Sequence, residues 1–186
     1  MTIRTKLDVT EGRFFVTFTC YQWLPLFSIT NGYDVIYKQF DILKAEGHTI
    51  IGYVIMPNHV HFIIDFNVAV KNINKRIGTM KRFAAYEIVS RLKALSNNEI
   101  LRQLTLGVHP SEKQKGKLHE VFEPSFDIKQ CLTNSFTEQK LNYIHNNPCK
   151  GKWRLSDVPE AYLYSSAAFY NLGVIGMYQV SHYLGF

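Results

Sequence analysis

The stretch GYVIMPNHVHFIID, Gly52 to Asp65, decides the fold. Two apolar runs flank a Pro57-Asn58 pair, and such a pair signals a hairpin because proline pre-sets φ and asparagine tolerates turn backbone. Along a strand the side chains alternate between faces, so His59 and His61 project together while Val60 and Phe62 point the other way. Two neutral imidazoles side by side form half of a site for Zn²⁺, Mn²⁺ or Mg²⁺, depending on what completes it.

Working outward, RFFVTFTCYQ (Arg13 to Gln22) is rich in β-branched and aromatic residues and reads as a strand. Asn31 and Gly32 open a helical stretch, YDVIYKQFDILKAEG, in which Val35, Ile36, Phe40 and Leu43 share a face and Gly47 is a suitable stop. HTIIGYVIM is the strand that enters the hairpin. After Asp65 the period changes. Ile73, Ile77, Met80, Ala84, Ile88 and Leu95 follow a helical stripe, with Lys71, Lys75, Arg82 and Lys93 on the other side. From Ser96 to Glu120 the chain turns polar, with Gly107, Pro110 and Gly116, and SEKQKGK reads as a mobile connection. A strand is expected over Val121 to Phe126, made irregular or an edge by Pro124, and a helix over Ser135 to Asn146, ended by Pro148.

This order predicts an α+β, ferredoxin-like βαββαβ fold: a four-stranded antiparallel sheet with helices on one face, plus a C-terminal helix. The second face needs cover from that last helix, a loop or a partner chain, and a homodimer is one solution. At 186 residues the chain fits a single domain, with a core over about 13–147 and an extension over 148–186. Apolar residues make up 46%, enough for a core. The cysteines, Cys20, Cys131 and Cys149, are odd in number and form no Cys-x-x-Cys pair, which argues for reduced thiols. MTIRTKLDV lacks the apolar stretch of a signal peptide, and runs such as IIGYVIM are too short to span a bilayer, so a soluble, cytoplasmic protein is expected.

Charge is unevenly placed. Lys71 to Lys117 holds 11 Lys/Arg against 3 acids, while the rest has 10 against 12. A concentrated positive field suggests a polyanionic partner, most often nucleic acid.

The second informative segment is KLNYIHNNPCKGKW, Lys140 to Trp153. Residues i and i+4 share a helix face, so Tyr143 and Asn147 are neighbours one turn apart. Pro148 biases Asn147 away from helical dihedrals and places it at the helix end, its amide oxygen free to act as a ligand. His145, two residues from Tyr143, faces away from it.

MPNHVH in a hairpin, followed some eighty residues later by YIHNNP, resembles the single-tyrosine HUH transposases, and most closely the REP-associated tyrosine transposases. FFVTFTCYQWLPLF is similar to the family's first strand and its extension. VFEPSFDIKQCLTNSFTEQKLNYIHNNPCKGKW looks like the segment leading through the tyrosine helix, and YLYSSAAFY like the closing aromatic-Ser-Ser motif. The resemblance runs from about Arg13 to Tyr170. It departs at Phe122, where relatives usually carry Trp, at Cys149, where an aliphatic residue is common, and in the KGKW turn.

The resemblance implies that His59, His61 and Asn147 bind one divalent ion, Mg²⁺ or Mn²⁺ rather than Zn²⁺, since zinc prefers a closed site with cysteine or several histidines. It implies that Tyr143 is the nucleophile, forming a 5′-phosphotyrosine link, and that the partner is single-stranded or hairpin DNA. Lys71, Lys75 and Arg82 could track phosphates, and Lys81 matches a lysine common on the family's corresponding helix. Two further readings stay open: a metal-dependent nuclease or phosphodiesterase that activates water, and a hairpin-DNA-binding protein that has lost its chemistry.

Overall fold

The computed structural model describes residues 9–151 and 153–185; the N-terminal MTIRTKLD segment and Lys152 of the KGKW turn lie outside them. Strands β1 (Gly12–Thr19), β2 (Thr49–Met56), β3 (His59–Phe66) and β4 (Asp127–Gln130) form one antiparallel sheet in the order β2-β3-β1-β4. The helices are α1 (Leu26–Ile29), α2 (Tyr33–Ala45), α3 (Ile73–Ala94), α4 (Asn98–Leu106), α5 (Pro110–Lys113), α6 (Asn134–Asn146) and α7 (Ala167–Leu172). The architecture is the α+β one that the alternation of periods implies.

β3 is flanked on both sides, and its HVHFII run is buried on both faces. One face carries Phe14, Val16, Phe18, Tyr53, Val60, Phe62 and Ile64, packed against the apolar stripes of α2 and α3. On the other face Phe15, Ile51, Val54 and Ile63 meet Leu141 and Ile144 of α6. Alternation therefore does the sorting. Even-numbered positions of β3 face α2 and α3, and odd-numbered positions, His59 and His61 included, face the side that α6 covers. The second face of the sheet is thus covered from within the chain.

Gly52 sets how closely α6 approaches. The β2–β3 register shifts between Ile50 and Gly52, a bulge that locally twists β2. A Cβ at Gly52 would lie 2.5 Å from Leu141 Cδ2 and 3.3 Å from Ser166 Oγ. On the outer edge of β2, Ile55 N–H donates to the Tyr164 carbonyl (2.8 Å) and Ser166 N–H to the Tyr53 carbonyl (3.0 Å), so the YSS segment pairs with an otherwise open edge.

Several local expectations are corrected. The fourth strand is Asp127–Gln130, not Val121 to Phe126. The earlier segment runs beside the end of β1 through Tyr21 N–H to Val121 O (2.9 Å) and Glu123 N–H to Thr19 O (2.9 Å), but Pro124 offers no N–H and regular pairing resumes only beyond it. The polar stretch after Ser96 contains α4 and α5. Asn97 caps α4, its side chain accepting from Ile100 N–H, and α4 buries Leu104. Pro110, which reads as a breaker, takes the first turn of α5, where a missing N–H costs nothing. The α3 stripe ends at Leu92, not Leu95, which is 58% exposed beyond the last full turn. Strand β1 stops at Thr19 rather than Gln22. Among the described residues no helix is long and apolar enough to cross a membrane, and all three cysteines are free.

Candidate active site

His59 and His61 lie on β3 with ring centroids 4.8 Å apart, both buried. Register brings Thr17 of β1 opposite His61, and Thr17 Oγ1 sits 2.6 Å from His61 Nδ1. Asn58, fully buried in the hairpin turn, accepts at Oδ1 from His59 Nδ1 at 2.7 Å. A nitrogen that donates to an amide oxygen carries the proton, so the lone pair of His59 is on Nε2. At His61 the Asn147 amide nitrogen approaches Nε2 at 3.3 Å, which places that lone pair on Nε2 as well and leaves Nδ1–H to donate to Thr17. Burial pushes the His59 pKa down to about 4, with a hydrogen bond to Asn147 partly offsetting it. Burial, then repulsion from His59 when that ring is protonated and from Lys140, push His61 down to about 3. Both rings are neutral at pH 7, the form that ligates metal.

Asn147 thus reaches both histidines. Its backbone is helical (φ −58°, ψ −44°) and Pro148 follows in a 3₁₀ turn, so the expected bias away from helical dihedrals is overridden. The cap position is kept by a tightening of the last turn instead. Rotating the amide by half a turn about its last bond exchanges nitrogen for oxygen and would present a third donor atom beside the two imidazoles. Among the described residues no three His, Cys, Asp or Glu side chains converge on a point that could hold an ion; the third donor here is an amide. The set of two neutral imidazoles and one amide fits a divalent ion with open coordination positions.

One turn before Asn147, Tyr143 stands edge-on to His61 with centroids 5.1 Å apart and is 51% exposed. Phe15 stacks on His61 (5.7 Å) and meets Tyr143 edge-on (6.0 Å), so one phenyl ring braces both. The Lys140 ammonium lies over Phe15 and Phe136 at 5.0 Å and over Tyr143 at 5.9 Å. Aromatic faces hold a cation without cancelling its charge, and no carboxylate among the described residues is paired with it. Behind Tyr143, His145 is buried and its Nε2 lies 2.9 Å from Ser166 Oγ; the same hydroxyl accepts from Tyr53 N–H at 2.9 Å. His145 therefore turns away from Tyr143, as its helical position implies, and fastens α6 to β2.

Trp23 meets His59 edge-on at 5.8 Å. It and Gln22 have positive φ, 59° and 49°, consecutive non-glycine residues in the left-handed region, a conformation that costs about 1–3 kcal/mol per residue.

The residues that sequence assigned to DNA lie elsewhere. α3 packs on the sheet face opposite the His pair. Lys75 and Arg82 are exposed along it, and Lys71 is exposed just before it, outside the helix on which sequence placed it. Arg82 also lines a groove of about 760 Å³, with Lys93, Lys115, Lys117 and Tyr86. Lys81 is buried, donating to the Glu123 carbonyl at 2.8 Å with Phe126 beneath its ammonium. Structure thus brings His59, His61, Asn147 and Tyr143 together, leaves Lys71, Lys75 and Arg82 on another surface and buries Lys81. Thr17, Asn58, Phe15, Lys140 and Trp23 join the site; all five lie within the stretches that carry the family resemblance, but neither strand nor helix periodicity singles them out.

The chain is a ferredoxin-like α+β sheet with a histidine pair on a central strand and a tyrosine-bearing helix laid over the same face. No family model matches the chain, and no curated protein matches it. Among solved structures, that of a REP-associated tyrosine transposase bound to a REP hairpin superposes with a TM-score of 0.65 at 15% identity, covering 100% of this chain and 95% of that one. This chain has the fold of that transposase. A second structure, of a candidate transposase from Deinococcus radiodurans R1, gives a TM-score of 0.44 at 16% identity over 77% of this chain and 95% of that one, a likeness too partial to define a fold.

Proposed function

We propose that the protein is a transposase-type enzyme that cleaves and rejoins single-stranded DNA through a 5′-phosphotyrosine link at Tyr143. The observation that carries this reading is the meeting of three groups: a half-exposed Tyr143 ring set against His61, whose Nε2 faces Asn147. The fold shared with a transposase bound to a DNA hairpin supports it.

His59, His61 and Asn147 would hold the ion, Mg²⁺ or Mn²⁺. When bound, such an ion supplies polarisation of a phosphate oxygen and neutralises charge as phosphorus becomes pentacoordinate. The Tyr143 oxygen attacks phosphorus in line; the Tyr–O–P bond forms as the P–O3′ bond breaks. The phenolic proton is lost to solvent and the departing 3′ oxygen takes one up, so nothing is oxidised or reduced. Attack by a 3′-hydroxyl on the phosphotyrosine reverses the step and joins strands without a nucleotide cofactor. Phe15 restricts the Tyr143 ring, and Lys140 supplies a fixed positive charge one turn away. Thr17 and Asn58 hold each imidazole proton on the nitrogen turned away from Asn147.

Incubation with Mn²⁺ or Mg²⁺ and a single-stranded hairpin oligonucleotide should give a protein–DNA adduct that survives a denaturing gel. EDTA should prevent it and Tyr143→Phe abolish it. An adduct that persists in Tyr143→Phe overturns the choice of nucleophile. Cleavage that persists there with no adduct returns the water-activating nuclease.

A further inference from the structure

We propose that Trp23 is a stacking platform for an unpaired nucleobase beside the phosphate received at the histidine pair; this rests on the DNA-cleaving reading above. Trp23 is 58% exposed although it adjoins a buried histidine. An indole gains most by burial, and this chain instead holds it in water on strained backbone. The hold is specific. Trp23 N–H donates to the Cys20 carbonyl at 3.0 Å, and Gln22 N–H donates to Glu123 Oε1 at 2.8 Å. Asn58 Nδ2 donates to the Trp23 carbonyl at 3.1 Å.

That last bond matters most, because Asn58 Oδ1 is the partner of His59 Nδ1. One fully buried amide thus fixes the imidazole with one end and the indole-bearing backbone with the other. The backbone that bears the indole and the histidine pair are held at a set spacing, and the indole itself meets His59 edge-on. A flat, exposed ring system held beside a phosphate-handling site matches the alternation of base and phosphate along a single strand. Every base offers a π-face, so the platform is tolerant of sequence. A base within a duplex is stacked on both sides and cannot use it.

The test takes the full chain with an oligothymidylate of about 20 nucleotides, single-stranded or annealed to its complement. Tryptophan emission should be quenched by the single strand and not by the duplex, and the quench should be lost in Trp23→Phe. Trp23→Ala should weaken single-strand affinity about 5- to 150-fold while the slope of log affinity against log salt stays that of the parent, since no phosphate contact is removed. Trp23→Phe, which keeps a ring, should retain most of the affinity. Unchanged affinity in Trp23→Ala, or a changed salt slope with no quench in the parent, overturns the proposal. The adduct gel separates this outcome from the broader reading: quench and affinity loss without any adduct leave the platform standing and remove the chemistry. An adduct formed equally by parent and Trp23→Ala leaves the chemistry standing and removes the platform.

Discussion

Gly52→Ala tests the contact on which the site's geometry depends. The added methyl would lie 2.5 Å from Leu141 Cδ2, 3.3 Å from Ser166 Oγ and 3.9 Å from His145 Nε2. Gly52 is not in the left-handed region, so the perturbation is one of space alone. Leu141 is 3% exposed and is packed in one cluster with Ile144 and Ile51. Forcing a methyl into a closed contact typically costs about 1–3 kcal/mol, and each kcal/mol moves the unfolding midpoint by about 2–4 °C for a chain of this size. Calorimetry should therefore show a midpoint lowered by roughly 2–12 °C. The alternative to compression is a lifted α6, which would strain the His145–Ser166–Tyr53 bonds and carry Tyr143 and Asn147 away from His61. Adduct yield should then fall further than the folded fraction accounts for. Leu141→Ala opens the same space and by itself costs about 2–5 kcal/mol, so the double variant should be more stable than the two single costs predict, by about 1 kcal/mol or more. A midpoint within error of the parent, with no coupling in the double variant, refutes the idea that Gly52 sets the seat of α6.

Thr17→Val removes the oxygen that holds His61 Nδ1; titration of Mn²⁺ followed by electron paramagnetic resonance should show affinity weakened about 10- to 100-fold, and an unchanged affinity would mean that the ring is oriented by Phe15 alone. Lys140→Met keeps an apolar stem among Phe15, Phe136 and Tyr143 but loses the charge; the salt slope for single-stranded DNA should become shallower by about 0.7, with Lys140→Arg restoring it, and equal slopes would remove Lys140 from the DNA path. Arg91 donates to both oxygens of Asp34, at 2.7 and 2.6 Å, and holds that carboxyl below the usual carboxylate range. A carboxylate with a lowered folded pKa contributes stability above its ordinary value of about 3.9 and loses it as pH falls below that. The gap in midpoint between parent and Arg91→Gln should therefore be largest near neutrality and close below about pH 4, and a gap independent of pH would show that the pair acts through packing.

The long elements were legible because their burial is periodic. Val35, Ile36, Phe40 and Leu43, and Ile73 through Ile88, sit on single faces of α2 and α3 and are fully or almost fully buried there. Helix α4 was hidden although Ile100, Leu101 and Leu104 are spaced for one helix face, because it is only nine residues long and sits in a polar stretch whose Gly107, Pro110 and Gly116 read as a connection. Strand β4 was misplaced because DIKQ is a short edge with a single neighbour, β1, and half-exposed side chains. It carries little alternation to read, while VFEP next to it is the more apolar run.

At the site, the two periodicities were enough for the residues that act and not for those that hold them. His59 and His61 share a face because a strand repeats every two residues, and Tyr143 and Asn147 share one because a helix nearly repeats every four. Nothing in either segment specifies that the two faces meet. That follows from β1 pairing with β3 so that Thr17 lies opposite His61, and from Gly52 admitting Leu141. The supporting groups come from three separate places: Thr17 and Phe15 on β1, Asn58 in the hairpin turn, and Ser166 in the C-terminal segment. Apart from the bond between the neighbours Asn58 and His59, each role exists only as a cross-strand or long-range contact. Asn58 shows the limit most clearly. In sequence it is a turn residue, and it does make the turn. Only burial gives it the second task, because a fully buried amide must satisfy both its ends, and the partners within reach are His59 and the backbone of Trp23. Satisfying those two bonds is what assigns the His59 proton to Nδ1 and leaves Nε2 as the free donor, so the demand of a turn amide for hydrogen bonds selects the tautomer that the site requires.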